Sequence, residues 1–186
     1  MKKQFIILTA AFFLFCLSTQ AQVGNSPETP KTEIQGKKFK INLGVEGALP
    51  MGDLKNGYSF GAGLTLRFLY KVTPQFGVTF TTGAIGFAPK DLNANAKVLL
   101  NIPFKAGGRY MITNNFYGLA EIGMTQSMMY FTDQQGNISH ISSNAFTYAP
   151  SIGVILGGLD ASLRYETMSK NGASSSFLAL RLGFFF

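Results

Sequence analysis

Residues 174–186 read "SSSFLALRLGFFF", Ser174 to Phe186. Counted back from the last residue, Phe186, Phe184, Leu182, Leu180 and Leu178 fall on one face; Phe185, Gly183, Arg181, Ala179 and Phe177 fall on the other. A period of two is the signature of a β-strand. One face is apolar without interruption, while the other holds an arginine beside small residues. Such a strand needs an apolar partner along its whole length, because an exposed Phe cluster in water invites aggregation.

The same alternation recurs upstream, giving eight runs between Lys40 and Phe186. In the first, Ile41, Leu43, Val45 and Leu49 oppose Lys40, Asn42 and Glu46. In the second, Phe60 to Val72 at even positions oppose Ser59, Gly61, Gly63, Thr65, Arg67 and Lys71. The third sets Phe76, Val78 and Phe80 against Gly77, Thr79, Thr81 and Gly83; its far end, "GAIGFAP", breaks the pattern and suggests a bulge. The fourth puts Lys97, Asn101, Lys105 and Arg109 on the polar side, and the fifth Glu121, Thr125 and Ser127. The sixth has Thr147, Ser151 and Gly153 there, the seventh Asp160, Ser162, Arg164 and Glu166, and the eighth Arg181.

The connections differ in kind. Thr73-Pro74-Gln75, Thr113-Asn114-Asn115 and Gly157-Gly158 are tight-turn signals. Between them stand longer polar stretches: 50–57, 89–96, 133–144 and 169–175. Short turns at one end, long loops at the other and an even strand number predict an all-β fold, an eight-stranded antiparallel up-and-down transmembrane β-barrel. Three features argue against a water-soluble barrel. The polar face is mostly Gly, Ser and Thr rather than densely charged. Its recurrent glycines leave room for long Arg, Lys and Glu side chains in a lumen that eight strands make only wide enough for side chains. The apolar face carries almost no charge, as a lipid-facing surface requires. Aromatic residues cluster where two membrane interfaces would lie: Tyr70, Phe76, Tyr110, Phe116, Phe184 and Phe186 near the turns, and Tyr58, Phe60, Tyr130, Phe146 and Tyr165 near the loops.

The first 21 residues, "MKKQFIILTAAFFLFCLSTQA", have a Lys2-Lys3 n-region, an apolar stretch from Phe5 to Leu17 and a small-x-small site at Thr19–Ala21. They read as a signal peptide cleaved after Ala21. The only cysteine, Cys16, leaves with it, so disulfide and thiol chemistry are excluded. Residues 22–38, polar and proline-bearing, read as a flexible periplasmic segment, and residues 39–186 as the barrel. Removing Lys2 and Lys3 takes the formal charge from +7 to +5. The remaining basic residues are scattered singly through apolar stretches, which argues against a nucleic-acid partner.

The terminal "LALRLGFFF", with an aromatic last residue and apolar residues at every second place, resembles the sorting signal of bacterial outer-membrane proteins. The mature chain resembles the small outer membrane protein β-barrel family of the OmpX, OmpW and OmpA-barrel type. "LLNIPFKAGGRYMI" (99–112) resembles that family's fourth strand. The resemblance implies residence in the cell outer membrane and contact with outer-membrane lipid and lipopolysaccharide. It also implies insertion by the barrel assembly machinery, which would read Leu178, Leu180, Leu182, Phe184 and Phe186.

On the inward face Glu46, Arg67, Lys105, Arg109, Glu121, Asp160, Arg164, Glu166 and Arg181 form an expected ion-pair network, with Lys40 and Lys97 alongside. Buried cations paired with carboxylates would fill the lumen; a charged constriction of a narrow channel is the alternative. His140 and Ser142 resemble the His-x-Ser pair of an outer-membrane lipid A deacylase, but the outward face of the following strand offers no acid to orient the histidine. The chain shows no catalytic constellation, metal cluster or cofactor motif. The expected role is structural, surface-interacting or complex-forming, with a possible protein partner at the loops, 133–144 above all. A narrow OmpW-like passage for small or apolar solutes stands second, and a lipid A-modifying hydrolase third.

Overall fold

The computed structural model describes residues 38–90, 97–132 and 138–186. Eight strands, β1 (Phe39–Met51), β2 (Tyr58–Lys71), β3 (Phe76–Pro89), β4 (Val98–Met111), β5 (Phe116–Thr132), β6 (Ile138–Leu156), β7 (Leu159–Lys170) and β8 (Ala173–Phe185), pair in chain order. β1 closes the barrel antiparallel to β8, with Val45 opposite Leu182 and Glu46 opposite Arg181. A single helical turn, α1 (Leu54–Gly57), lies in the β1–β2 connection. The expected signal peptide, residues 22–37 and the loop residues 91–96 and 133–137 fall outside the described residues.

The alternation decides which side of each strand meets what. Outward positions are open along every strand: Val45 is 56% exposed, Ile122 60% and Ile152 64%. Their inward neighbours Glu46, Arg67, Lys105, Glu121, Arg164 and Arg181 are at most 4% exposed. The barrel is therefore inverted relative to a soluble protein, with hydrocarbon outside and charge inside, which is stable only when the outside faces lipid.

The short turns are built from their own side chains. Thr73 Oγ1 accepts from the Phe76 amide at 2.9 Å, and Thr113 Oγ1 from the Phe116 amide at 3.0 Å. These contacts close the β2–β3 and β4–β5 turns in the same way, and Gly157 turns the third with φ +64°.

Three expectations are corrected. Residues 169–175 are no long loop: β7 and β8 run on to a two-residue turn, Asn171-Gly172, both in the left-handed region (φ 50° and 82°) that this dipeptide favours in hairpins. Within 133–144, residues 138–144 belong to β6, leaving 133–137 as the connection. The third strand keeps its phase: β3 pairs with β4 in one register from Phe76↔Tyr110 to Phe87↔Leu99. What breaks the expected pattern is that its inward positions there, Ile85 and Phe87, are apolar; the register shift lies at Tyr58/Phe60 on β2.

Candidate functional site: the stacked lumen

From the loop end to the turn end, the lumen has three layers. The first is apolar. Ile85 and Phe87 of β3, Leu99 of β4, Met168 of β7, Phe177 and Ala179 of β8, Ala48 of β1 and Leu54 of α1 form one buried cluster. The Phe87 and Phe177 rings meet edge-on at 5.2 Å, and Tyr58 caps Phe87 at 6.4 Å. Tyr58 thus turns toward the lumen mouth, not onto the outer girdle.

The middle layer is ionic. Glu46 takes a bidentate grip from Arg164, Nη1 to Oε1 at 2.8 Å and Nη2 to Oε2 at 2.6 Å, and accepts from Thr65 Oγ1 at 2.9 Å. Arg181 Nε lies 3.5 Å from Glu46 Oε1 and donates to Thr65 Oγ1 at 2.8 Å. Glu166 Oε2 receives Lys105 Nζ and lies 2.8 Å from Arg164 Nε. On the opposite wall, Glu121 Oε1 accepts from Thr81 at 2.5 Å and Thr79 at 3.2 Å, with Arg67 Nη2 3.9 Å from its second oxygen. Asp160 accepts from the Tyr117 hydroxyl at 2.6 Å and from Arg181 Nη1 at 3.4 Å, with Arg67 Nη1 at 3.6 Å. Four carboxylates thereby meet four cations. Bidentate guanidinium–carboxylate contacts are the geometry that best offsets desolvation. Arg181 fits because both flanking positions are glycine: a Cβ on Gly44 would come within 2.7 Å of its Cζ, and one on Gly183 within 2.6 Å of Nη1.

Of the expected network, eight residues meet in this layer and Arg109 does not. Its guanidinium lies 5.3 Å from the Tyr117 ring centre and 5.7 Å from that of Phe185, and no carboxylate lies within 4 Å of its nitrogens among the described residues. Asp160, the acid nearest along the turn end, is already bound by Tyr117 and Arg181. Arg109 belongs instead to the third layer, a cup of about 470 Å³ open at the turn end and lined by Lys40, Lys71, Arg109 and Phe185 among others. Lys97 is exposed just before β4, outside the lumen contacts.

Sequence reasoning missed Tyr117, whose ring carries Arg109 and whose hydroxyl holds Asp160. Its only signal was its odd-numbered place opposite Phe116. The apolar layer was likewise unread, although Phe87, Leu99 and Phe177 occupy inward parity. His140 and Ser142 stand on β6, where His140 pairs with Tyr130 and their rings lie 5.6 Å apart. Among the described residues, no hydrogen bond joins His140 to Ser142 and no carboxylate reaches His140.

Three solved structures show what this architecture is like. Ail, the attachment invasion locus protein of Yersinia pestis, matches at TM-score 0.61 and 15% identity over 80% of this chain and 97% of that one. The N-terminal β-barrel domain of Pseudomonas aeruginosa OprF matches at 0.56 and 10% identity, over 82% and 100%. Neisserial surface protein A matches at 0.50 and 14% identity, over 80% and 97%. No protein-family model matches the chain, and no curated protein matches it in sequence. The fold is that of the small outer-membrane barrels.

Proposed function

We propose that the protein is an integral component of the bacterial outer membrane that acts through the surface at its loop end, in a structural, surface-interacting or complex-forming role, and passes no solute. One observation carries this reading: the lumen is filled in succession by an apolar layer and a neutralised ionic layer, inside an unbroken apolar belt. A conducting pore of the porin kind needs a water-filled interior. Here the inward side chains of eight strands occupy it.

In this reading the short turns face the periplasm and the loops face outward, as in barrels of this topology. The belt contacts lipid and lipopolysaccharide, and the barrel assembly machinery inserts the chain through the Leu178–Phe186 pattern. At the loop end β5 and β6 run past their neighbours. β6 pairs with β7 only as far as Phe146↔Ser169, and β7 ends at Lys170. Residues 138–144 of β6 are laddered to β5, and on the other side pair with no strand among the described residues, where Lys170 Nζ donates to the Ser143 hydroxyl at 2.6 Å. A free strand edge offers backbone donors and acceptors to another extended chain, which supports a protein partner at this place.

The test is reconstitution of residues 22–186. The expected protein sediments with outer membranes, folds in micelles or vesicles, and gives no steady unit conductance in planar bilayers. Stable conductance would overturn the sealed lumen; a folded monomer in buffer free of detergent and lipid would overturn the membrane reading itself.

A further inference from the structure

We propose that the turn-end cup is a binding site for a phosphate-bearing anion, with Arg109 at its floor. The site lies at the opposite end of the barrel from the surface invoked above and does not depend on that role.

The charge balance of the lumen leads to it. The four lumenal carboxylates are matched by Arg67, Lys105, Arg164 and Arg181. Arg109 is a fifth cation, 5% exposed, lining the cup and touching rings rather than an acid. Buried guanidinium groups are ordinarily paired, because leaving one uncompensated is costly. Lys40 and Lys71 line the same cup from β1 and β2, and Lys40 Nζ lies 5.7 Å from the Phe185 ring centre. No Asp or Glu is among the lining residues. Three cations therefore face one space with no acid in its wall among the described residues.

The rim adds neutral donors. Thr73 and Thr113 line the cup, and each Oγ1 already accepts a turn amide, which leaves its own O–H free to donate. Three cations with hydroxyl donors suit a dianion better than a single carboxylate. Phosphate monoesters approach that charge at neutral pH and offer three acceptor oxygens. A free phosphate and a phosphomonoester lipid headgroup, such as that of phosphatidic acid, share this chemistry.

The experiment follows backbone amide resonances of the mature barrel in dodecyl maltoside micelles during titration with inorganic phosphate at constant ionic strength. Saturable shifts are expected at Gly77, Asn114 and Phe185. Arg109→Gln should weaken binding about tenfold or more, the loss expected for charge-assisted hydrogen bonds, and Lys71→Gln several-fold. Lys71 is at the rim, outside every lumenal ion pair, so its variant tests the site even where Arg109→Gln folds poorly. Repeating the titration in nanodiscs separates the sources. Shifts already present in discs containing phosphatidic acid and absent from phosphatidylcholine discs identify a lipid headgroup; shifts that appear only on adding phosphate to either identify a soluble ligand. The absence of saturable shifts in micelles and both discs, or equal affinity in wild type and both variants, overturns the proposal.

Discussion

Around Glu46, Arg164 and Arg181 the lumen is filled with charge, whereas one layer nearer the loops Ile85, Phe87 and Phe177 fill it with hydrocarbon. Both layers exclude water, by different means. The ionic layer depends on direction: each carboxylate has a named donor or cation, and losing one member leaves an uncompensated buried charge. The apolar layer depends on volume: its members need only occupy space, and aromatic rings do so with specific but weaker preferences. They touch where the Arg164 guanidinium lies 6.0 Å from the Phe177 ring centre. A narrow barrel can thus be closed twice, once by specific pairing and once by bulk.

The contrast can be broken most forcefully at Glu46. Glu46→Ala leaves Arg164 with Glu166 alone and Arg181 with Asp160 alone, one positive charge in excess in a buried layer, and urea unfolding in vesicles, followed by circular dichroism, should show a loss of about 3–5 kcal/mol. Replacing Glu46 and Arg164 together by Met and Leu should recover most of that loss, because the cost lies in the orphaned charge rather than in the absent pair. If the double variant is as unstable as the single one, the layer is held by packing and the distinction fails. Phe87→Ala should cost about 3 kcal/mol in the same assay, the low end for such truncations, because the site lies near the lumen mouth and water can enter. It should leave planar bilayers non-conducting, since the ionic layer still blocks the path; steady current would mean that the apolar layer is the only seal. The smallest effect is expected at Tyr117→Phe, which removes one hydrogen bond to Asp160 but keeps the ring beneath Arg109. A loss of about 1 kcal/mol is expected, read from the urea midpoint, and a much larger loss would show that the hydroxyl organises Arg67 and Arg181 as well as Asp160.

Much of this was legible from particular residues. The face carrying Leu178, Leu180, Leu182 and Phe184 is outward, and the one carrying Phe177, Ala179 and Arg181 is inward, as the terminal run implied. Eight of the nine expected network residues meet in the lumen. Loop lengths were less legible. "SKNGASS" and "NISHISSN" have the composition of loops, yet strand pairing extends through most of both, because ladder hydrogen bonds outweigh weak local preference. Arg109 was misassigned for another reason. Parity puts it inside, but its height along the axis places it beyond the carboxylates and beside Tyr117 and Phe185. The apolar layer went unread because inward Ile85 and Phe87 look like a lost rhythm when charge is expected there.

The sequence by itself determined which face of each strand is apolar and where the three short turns at one end fall, since a two-residue period and a Gly-Gly dipeptide are local properties of the backbone. Only the tertiary structure decided who meets whom. Glu46 and Arg164 are 118 residues apart and touch because the barrel closes with one stagger between its strands. That stagger sets the height of every inward side chain. A cation at one height finds a carboxylate; Arg109, at another, finds two rings and an open cup.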